Sequence, residues 1–564
     1  MARAINIGAQ GFEDMRIHGD FYVDKTGFLR DWWQARDQVS LICRPRRFGK
    51  TLNLDTVRCF LSTKFAGRGE ELFGGLDVWE DCAIRALQGS VPVVAMSFAD
   101  VKGSTIDETL AGLRQVVAGA VEDHDYLRDS DALTDGDRAF LARVSDDMPT
   151  EVAVRAIKRL CAMLRRHWGV APVVLLDEYD SPMESAWTAG FWEGASDFLR
   201  QLMNATFKTN PALGRGLITG VTGVSRESIF SDLNNLQVVT ASSKNYRTAF
   251  GFTEKEVKSA LAEYGLADRF DTVRDWYDGF TFGGVSGVYN PWSITKFLES
   301  DGVVDAYWAN TSGNALVSEA IRRGASSLKA DFETLMGGGE VEKVIDEQVV
   351  FQELGSRANA VWALLLAAGY LTSPGPVPSL VAEEPRRLRL TNREVRLTFD
   401  RMVEGWFVSV GDDWDDFAKA LLEGDARHAT RALADVTLCC MSSFDGAVRP
   451  AEREPERFYH GLVLGLLARL RNRWSVESNR ESGWGRYDVA LVPMDGDRGT
   501  DPAVVMEFKV FDPDKEDTLA DTVSRARAQV EDRDYVAGLE ARGIARERIL
   551  TYGIAFRGKE VLVG

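Results

Sequence analysis

The stretch VSLICRPRRFGKTLNLDTVRCFL, Val39 to Leu61, decides the architecture of this chain. VSLIC reads as a buried strand, and it runs directly into the basic loop Arg44-Pro45-Arg46-Arg47-Phe48-Gly49-Lys50-Thr51 and then a helical pattern beginning at Leu52. Strand, tight loop with Gly-Lys-Thr, and helix is the order that a phosphate-binding loop needs. The backbone of Arg46, Arg47, Phe48, Gly49, Lys50, Thr51 and Leu52 would surround the phosphates, Lys50 would set a cation against the β and γ oxygens, and Thr51 would offer a hydroxyl to Mg2+. The expected ligand is ATP. Arg44 stands where the usual motif has its first glycine, and the extra arginines suit a triphosphate. The competing reading is an ordinary basic strand-to-helix turn.

Three more apolar runs, Val91 to Phe98, Pro172 to Leu176 and Gly216 to Val221, read as buried strands. Between the second and third strands, Glu151 to Trp168 has apolar residues at helical spacing and reads as a crossover helix. The pattern predicts a parallel sheet covered by helices on both faces. The third run ends in PVVLLDEYD, which places Asp177 to hold magnesium and Glu178 to polarise the water attacking the γ-phosphate, with Asp180 adjacent. An acidic strand end that caps a helix is the alternative. After the fourth strand, Thr222 is a candidate γ-phosphate sensor and Arg226 a candidate charge stabiliser, although plain turn residues fit equally well.

Composition bounds the rest. At roughly 150 residues per domain, 564 residues give three to four domains. With 45% apolar and 27% charged residues the chain is neither disordered nor fibrous. A net charge of −18 disfavours a broadly basic nucleic-acid coat or an anionic-membrane binder, so any polyanion site must be a local cleft. Six cysteines, two of them adjacent at Cys439 and Cys440, make no disulfide framework, and no CxxC pair suggests zinc. The N-terminus lacks a signal-peptide core, and the greasiest stretch, Ala360 to Leu371, is too short to span a bilayer. These features predict a cytoplasmic protein without a membrane partner.

Four regions are expected: a phosphate-loop domain over 1–250; a small helical, lid-like or winged-helix-like domain over 251–314, opened by a capped helix start at Thr253 and containing WYDGFTFGGVSGVYNPW; a helical connection over 315–443; and a second α/β module over 444–564. The last has a helix from Arg457 to about Arg473, strands near Ser475, Tyr487 to Val492 and Ala503 to Val510, and a helix from Thr518 to about Asp532.

In AVVMEFKV, Glu507 and Lys509 are two residues apart and emerge from one face of an otherwise apolar strand, and Asp488 on the adjoining strand can reach the same face. Two carboxylates and the carbonyl of Phe508 would form an oxygen-rich Mg2+ (or Mn2+) site, with Lys509 orienting the water that attacks a phosphodiester. A polar pair on a solvent-facing edge is the alternative. Glu456 and His460 could share a helix face and complete the site, though packing explains such a histidine as well. Residues 441–564 carry 22 acidic and 19 basic side chains, net −3, so nonspecific duplex binding should be weak and salt-sensitive, and recognition is expected to involve a homo-oligomer or a partner. Arg471, Arg473, Arg480, Arg486, Arg525 and Arg527 are the candidate phosphate contacts.

FYVDKTGFL (Phe21 to Leu29), RPRRFGKTLNL (Arg44 to Leu54), LLDEYDSP (Leu175 to Pro182), GVTGVSR (ending at Arg226), WYDGF (Trp276 to Phe280) and YNPWS (Tyr289 to Ser293) together resemble the bacterial AAA-ATPase-like family that carries a C-terminal PD-(D/E)XK nuclease-superfamily domain. The resemblance runs over nearly the whole chain in consistent order. It implies an α/β fold with an AAA/ASCE-like parallel sheet, a helical lid region and a PD-(D/E)XK-like α/β domain, in which Asp488, Glu507 and Lys509 are catalytic and Gln529 contacts the scissile phosphate or positions water; an exposed helix residue is the bland alternative for Gln529. Asp24 and Lys25 match a recurrent motif of the family. The expected function is ATP binding and hydrolysis coupled to a metal-dependent nuclease acting on DNA, or on RNA, in defence or genome maintenance. The alternative is a nucleotide-switched binding or assembly protein whose nuclease-like domain no longer cuts.

Overall fold

The computed structural model describes the chain apart from residues 1, 9, 223–229, 231–232, 309–316, 318–330, 333, 337, 346, 348–357, 376–383, 400–412, 442–462, 464–466, 468–469, 471–472, 483–484, 495–500, 514 and 558–559; at 358, 413–415, 436, 438–441, 478–482 and 485–487 it describes the backbone alone. Arg226, Glu456, His460, Arg471 and the side chains of Arg480 and Arg486 therefore lie outside the described residues, as does most of the span read as a helix from Arg457 to Arg473. Two compact units emerge: Met1–Ala320 with Gly338–Leu397, and Ile321–Gly337 with Thr398–Gly564.

The first unit is built on a five-stranded parallel sheet of β1 (Val39–Cys43), β2 (Val93–Ser97), β3 (Val173–Asp177), β4 (Arg215–Gly220) and β5 (Leu236–Val239), in the order β2-β3-β4-β1-β5. Every residue of β1 and β3 is buried, as continuous aliphatic runs require when helices cover both faces. β4 lies between them, pairing Cys43 with Gly220 on one side and Leu176 with Ile218 on the other. The phosphate loop, Asp177 and the end of β4 thus share one edge, the carboxyl ends of the strands, where open α/β sheets bind ligands. The crossover helix Thr150–Trp168 buries Ile157, Leu160, Cys161 and Leu164 and stops at Gly169, whose φ of 71° supplies the left-handed cap.

Residues 252–299 are less helical than the sequence suggests. Thr253 and Glu256 form a reciprocal capping box at the helix Glu254–Glu263. The aromatic segment that follows, however, folds into the hairpin of β7 (Phe280–Phe282) and β8 (Val285–Tyr289), and β8 pairs on its other side with β6 (Phe252–Thr253), making an antiparallel sheet. Gly283 and Gly284, with φ of 54° and 81°, close the hairpin in two residues, a turn that needs positive φ at both positions. The helix Pro291–Glu299 comes next. A second small sheet joins β9 (Val341–Lys343), β10 (Leu371–Thr372) and β11 (Arg386–Leu390), with the apolar stretch from Ala360 packed as part of the buried helix Ala358–Ala367. Among the described residues, no helix is long and apolar enough to cross a membrane.

The second unit has helices Asp413–Glu423 and Ala426–Met441 and a mixed sheet of β12 (Trp474–Ser482), β13 (Gly485–Pro493), β14 (Ala503–Val510), β15 (Ile549–Arg557) and β16 (Glu560–Val563), in that order. β14 and β15 are parallel and are joined through the helix Leu519–Asp532, while the other pairs are antiparallel. Alternation divides β14 between two cores. Val504, Met506 and Phe508 face a cluster that includes Phe417 and Leu433, whereas Ala503 and Val505 face Val530, Tyr535 and Leu539. By the same period of two, Glu507 and Lys509 fall on the second face, toward the helix that carries Gln529.

Candidate functional site

In the first unit, the loop residues Arg46 to Thr51 border a cavity of about 840 Å³ that is also lined by Lys25, Lys102, Glu178, Glu184 and Trp292. Gly49 opens the helix Lys50–Leu61 with φ 78°, and Arg47 has φ 66°, so two left-handed residues bend the loop around the helix N-terminus. Lys50 is buried, and its Nζ donates to the carbonyls of Arg44 and Pro45 at 3.0 Å each. Burial lowers its pKa, against the pull of Glu178, Asp177 and Asp180.

Thr51 Oγ1 donates to Asp177 Oδ2 at 2.6 Å, Thr219 Oγ1 donates to Asp177 Oδ1, and the amide of Glu178 donates to the same Oδ1 at 3.1 Å. The carboxylate at the end of β3 is therefore fixed between the phosphate-loop helix and β4. Glu178 has φ 49°, a conformation that costs energy in any residue with a Cβ, and its Oε2 accepts from Ser181 Oγ at 3.1 Å.

Not every nearby cation faces the cavity. Arg44 is fully buried: its Nη1 donates to the carbonyls of Cys43 at 2.8 Å and Thr240 at 2.9 Å, and its guanidinium lies 4.8 Å from the Phe282 ring centroid. It is a structural strut, which corrects the expectation that it adds positive charge for a triphosphate. Arg46 pairs with Glu184, and Arg47 stacks 4.3 Å from the Trp292 ring centroid. The Phe48 side chain is buried against Phe280 and Phe282, at centroid distances of 4.7 and 5.5 Å, so only its backbone is available to a ligand. Leu52, in the first turn of the helix, borders the cavity.

Thr222 departs from its expected sensor role. Its hydroxyl donates to Asp180 Oδ2 at 3.2 Å, and that oxygen also accepts the amides of Val221 at 2.8 Å and Thr222 at 3.1 Å, while Tyr179 donates its hydroxyl to the Thr222 carbonyl at 2.7 Å. Held on all sides and 2% exposed, Thr222 does not line the cavity. The residue of β4 that reaches the acidic centre is Thr219, three positions earlier. It missed notice because it reads as strand interior, with alternation the one signal that could have revealed it.

The recurrent motifs gain physical roles. Asp24 Oδ1 accepts from the amide and hydroxyl of Thr26, and its Oδ2 from the amide of Asp77 at 2.7 Å. Lys25 bridges to both oxygens of Glu256 at 2.7 Å, joining the N-terminal segment to the capping box at Thr253. In YNPWS, Asn290 caps the helix Pro291–Glu299 and donates to the carbonyl of Arg46 at 3.5 Å.

In the second unit, Asp488, Glu507, Lys509 and Gln529 come together. Pairing between β13 and β14 covers Val489–Leu491; at Asp488 the side chain takes over, its Oδ2 accepting the amide of Phe508 at 2.8 Å. Lys509 Nζ lies 3.1 Å from Glu507 Oε1, and Gln529 Nε2 donates to the same oxygen. Glu507 is 1% exposed, so its charge rests on these partners. Gln529 is thus turned inward. Buried Tyr535, which sequence reasoning missed, has its hydroxyl 3.4 Å from Gln529 Nε2; burial raises its pKa, and Glu507 and Asp488 add to the effect. Of the candidate phosphate contacts, Arg473 pairs with Asp501 and Arg525 with Glu516. Arg527 is exposed.

The donor chemistry at both centres fits magnesium. Each offers carboxylate oxygens, Asp177 beside the Thr51 hydroxyl and Asp488 near Glu507, the hard donors that a divalent cation of this kind takes.

A parallel sheet with a phosphate loop facing an acidic strand end, and a mixed sheet bearing Asp488, Glu507 and Lys509, define the class. Residues 6–230 match the family described as "Predicted AAA-ATPase", and residues 454–564 match the PD-(D/E)XK nuclease superfamily. The chain carries an AAA-ATPase-like domain followed by a PD-(D/E)XK nuclease-superfamily domain. It is similar to a protein of Azotobacter chroococcum mcd 1 described as "Uncharacterized protein in vnfD 5'region", at 28% identity over 408 residues, 71% of this chain and 69% of that relative.

Proposed function

We propose that this protein is a cytoplasmic ATPase whose nucleotide cycle governs a metal-dependent nuclease acting on DNA. The observation that carries the nuclease reading is the convergence of Asp488, Glu507, Lys509 and Gln529 from two strands and a helix. Packing alone gives no reason to bury Glu507 beside a lysine; a phosphodiester and its attacking water do.

In the ATPase half, Lys50 and the loop amides bind the phosphates, Thr51 and Asp177 hold the divalent ion, and Glu178 takes the proton of the water that attacks the γ-phosphate. In the nuclease half, Asp488, Glu507 and the Phe508 carbonyl hold the ion, Lys509 orients the attacking water, and Gln529 positions that water or the scissile phosphate. The divalent ion supplies positive charge against the phosphate oxygens at both centres. The defence or genome-maintenance role rests on this architecture of two phosphate chemistries in one chain.

Phosphate release from ATP and cleavage of labelled DNA, measured on the full chain with Lys50→Ala and Lys509→Ala, test the two halves. Lys50→Ala should abolish ATP binding, and Lys509→Ala should abolish cutting while leaving ATP turnover intact.

A further inference from the structure

Arg46 and Glu184 form an ion pair within the nucleotide cavity. Arg46 belongs to the phosphate loop. Glu184 belongs to the helix Ser181–Ala189, which starts directly after Glu178, Tyr179 and Asp180, so the pair ties the loop to the element that follows the acidic end of β3. The side chains are 32% and 23% exposed, which leaves each accessible from the cavity.

Arg46 also feels the carboxylates that follow the acidic end of β3. Burial opposes its charge, yet Glu184 first, then Asp180 and Glu178 among the carboxylates, raise its pKa above the ordinary value. Burial raises the Glu184 carboxyl, and Arg46 opposes that rise more strongly than Lys102 does. Arg46 is thus within the field of Glu178, the residue assigned to the attacking water.

A carboxylate and a terminal phosphate satisfy a guanidinium in the same way, each accepting its N–H groups through paired oxygens. Resting on the ATPase reading above, we propose that Glu184 is an internal competitor for the triphosphate: it holds Arg46 while the site lacks nucleotide and yields it to the terminal phosphate of ATP. ADP has no such phosphate and leaves the pair closed. Release of Glu184 frees the helix Ser181–Ala189 from the loop, so the pair reports the γ-phosphate to the rest of the domain, and Arg46 brings from within the chain a positive charge to the phosphate being transferred.

The test is equilibrium binding of Mg-ATP and Mg-ADP to the full chain, comparing wild type, Glu184→Gln, Glu184→Ala, Arg46→Gln, the double variant Arg46→Gln/Glu184→Gln and Lys50→Ala. If Arg46 is held most of the time, removing the competitor should tighten ATP about five- to tenfold and ADP less than about twofold. Both Glu184 variants should give the same sign, and the gain should vanish in the Arg46→Gln background. An unchanged ATP affinity in both Glu184 variants, an equal gain for ADP, or a gain that persists without Arg46 overturns the proposal while Lys50→Ala still shows a loss of ATP. If Lys50→Ala binds ATP as wild type does, the ATPase reading fails and the proposal fails with it.

Discussion

The hydroxyl of Thr51 donates to Asp177 across 2.6 Å, although 126 positions separate the two residues in the chain. This contact joins the phosphate loop to the acidic end of β3, and under the proposed function these two residues would hold the divalent ion. Thr51→Val keeps the shape of the side chain and removes the hydroxyl. It should lower Mg-dependent ATP turnover about 100-fold, as should Asp177→Asn, with the effect read as phosphate release at saturating ATP.

Glu178→Gln should separate binding from chemistry. The amide retains the volume of the carboxyl but cannot take a proton, so ATP should still bind while turnover falls by roughly 10²–10⁴. Equilibrium dialysis beside a phosphate-release assay checks this, and near-normal turnover in the variant would remove Glu178 from the mechanism.

Asp180 is expected to matter for structure. One of its carboxylate oxygens accepts from the Val221 amide, the Thr222 amide and the Thr222 hydroxyl, and Asp180→Ala would leave these donors without that partner. The expected loss is about 1–3 kcal/mol, seen as a lower urea midpoint for the first unit.

Glu394 gives the first unit a pH dependence. It is 1% exposed; burial raises its pKa to about 7, opposed by the amide of Trp308 and the hydroxyl of Ser293. The unfolded chain loses this proton near the ordinary value of 4.5, whereas the folded protein keeps it to about 7. Between those values unfolding releases a proton, so stability from this group falls as pH rises from about 4.5 to about 7, by an amount of order 3 kcal/mol, and is level above that. Glu394→Gln keeps an acceptor oxygen and should flatten the slope and raise the melting temperature at pH 8. A slope unchanged in the variant would assign the dependence elsewhere.

Much of this was legible in the sequence because the deciding elements are short and strongly patterned. VSLIC and PVVLLD are short aliphatic runs of strand length rich in β-branched residues, and each leads straight into charged residues, which drew attention to the strand ends. Leu236–Val239 escaped notice as a four-residue edge strand with only two fully buried positions. The hairpin from Phe280 to Tyr289 was hidden because aromatic and glycine residues in the same segment obscured the alternation. Strands β15 and β16 lacked a polar pair to draw attention to them. At the sites, spacing along one strand revealed Glu507 and Lys509, and alternation along β4 was the only hint of Thr219, but no local pattern could reveal Glu184 or Tyr535, whose roles arise from neighbours far away in the chain. Thr222 shows the reverse case, in which the local pattern suggested a sensor and Asp180 took its hydroxyl.

In the proposed function the second unit cuts nucleic acid under control of the first. Its most direct measurement is cleavage of labelled single-stranded DNA, duplex DNA and RNA by the full chain, with and without ATP and Mg2+ or Mn2+, in wild type, Glu507→Gln and Lys50→Ala. Metal-dependent cutting of DNA should respond to ATP in wild type, be lost in Glu507→Gln, and no longer respond to ATP in Lys50→Ala. Inert wild type on every substrate and metal, or equal cutting by Glu507→Gln, would contradict it.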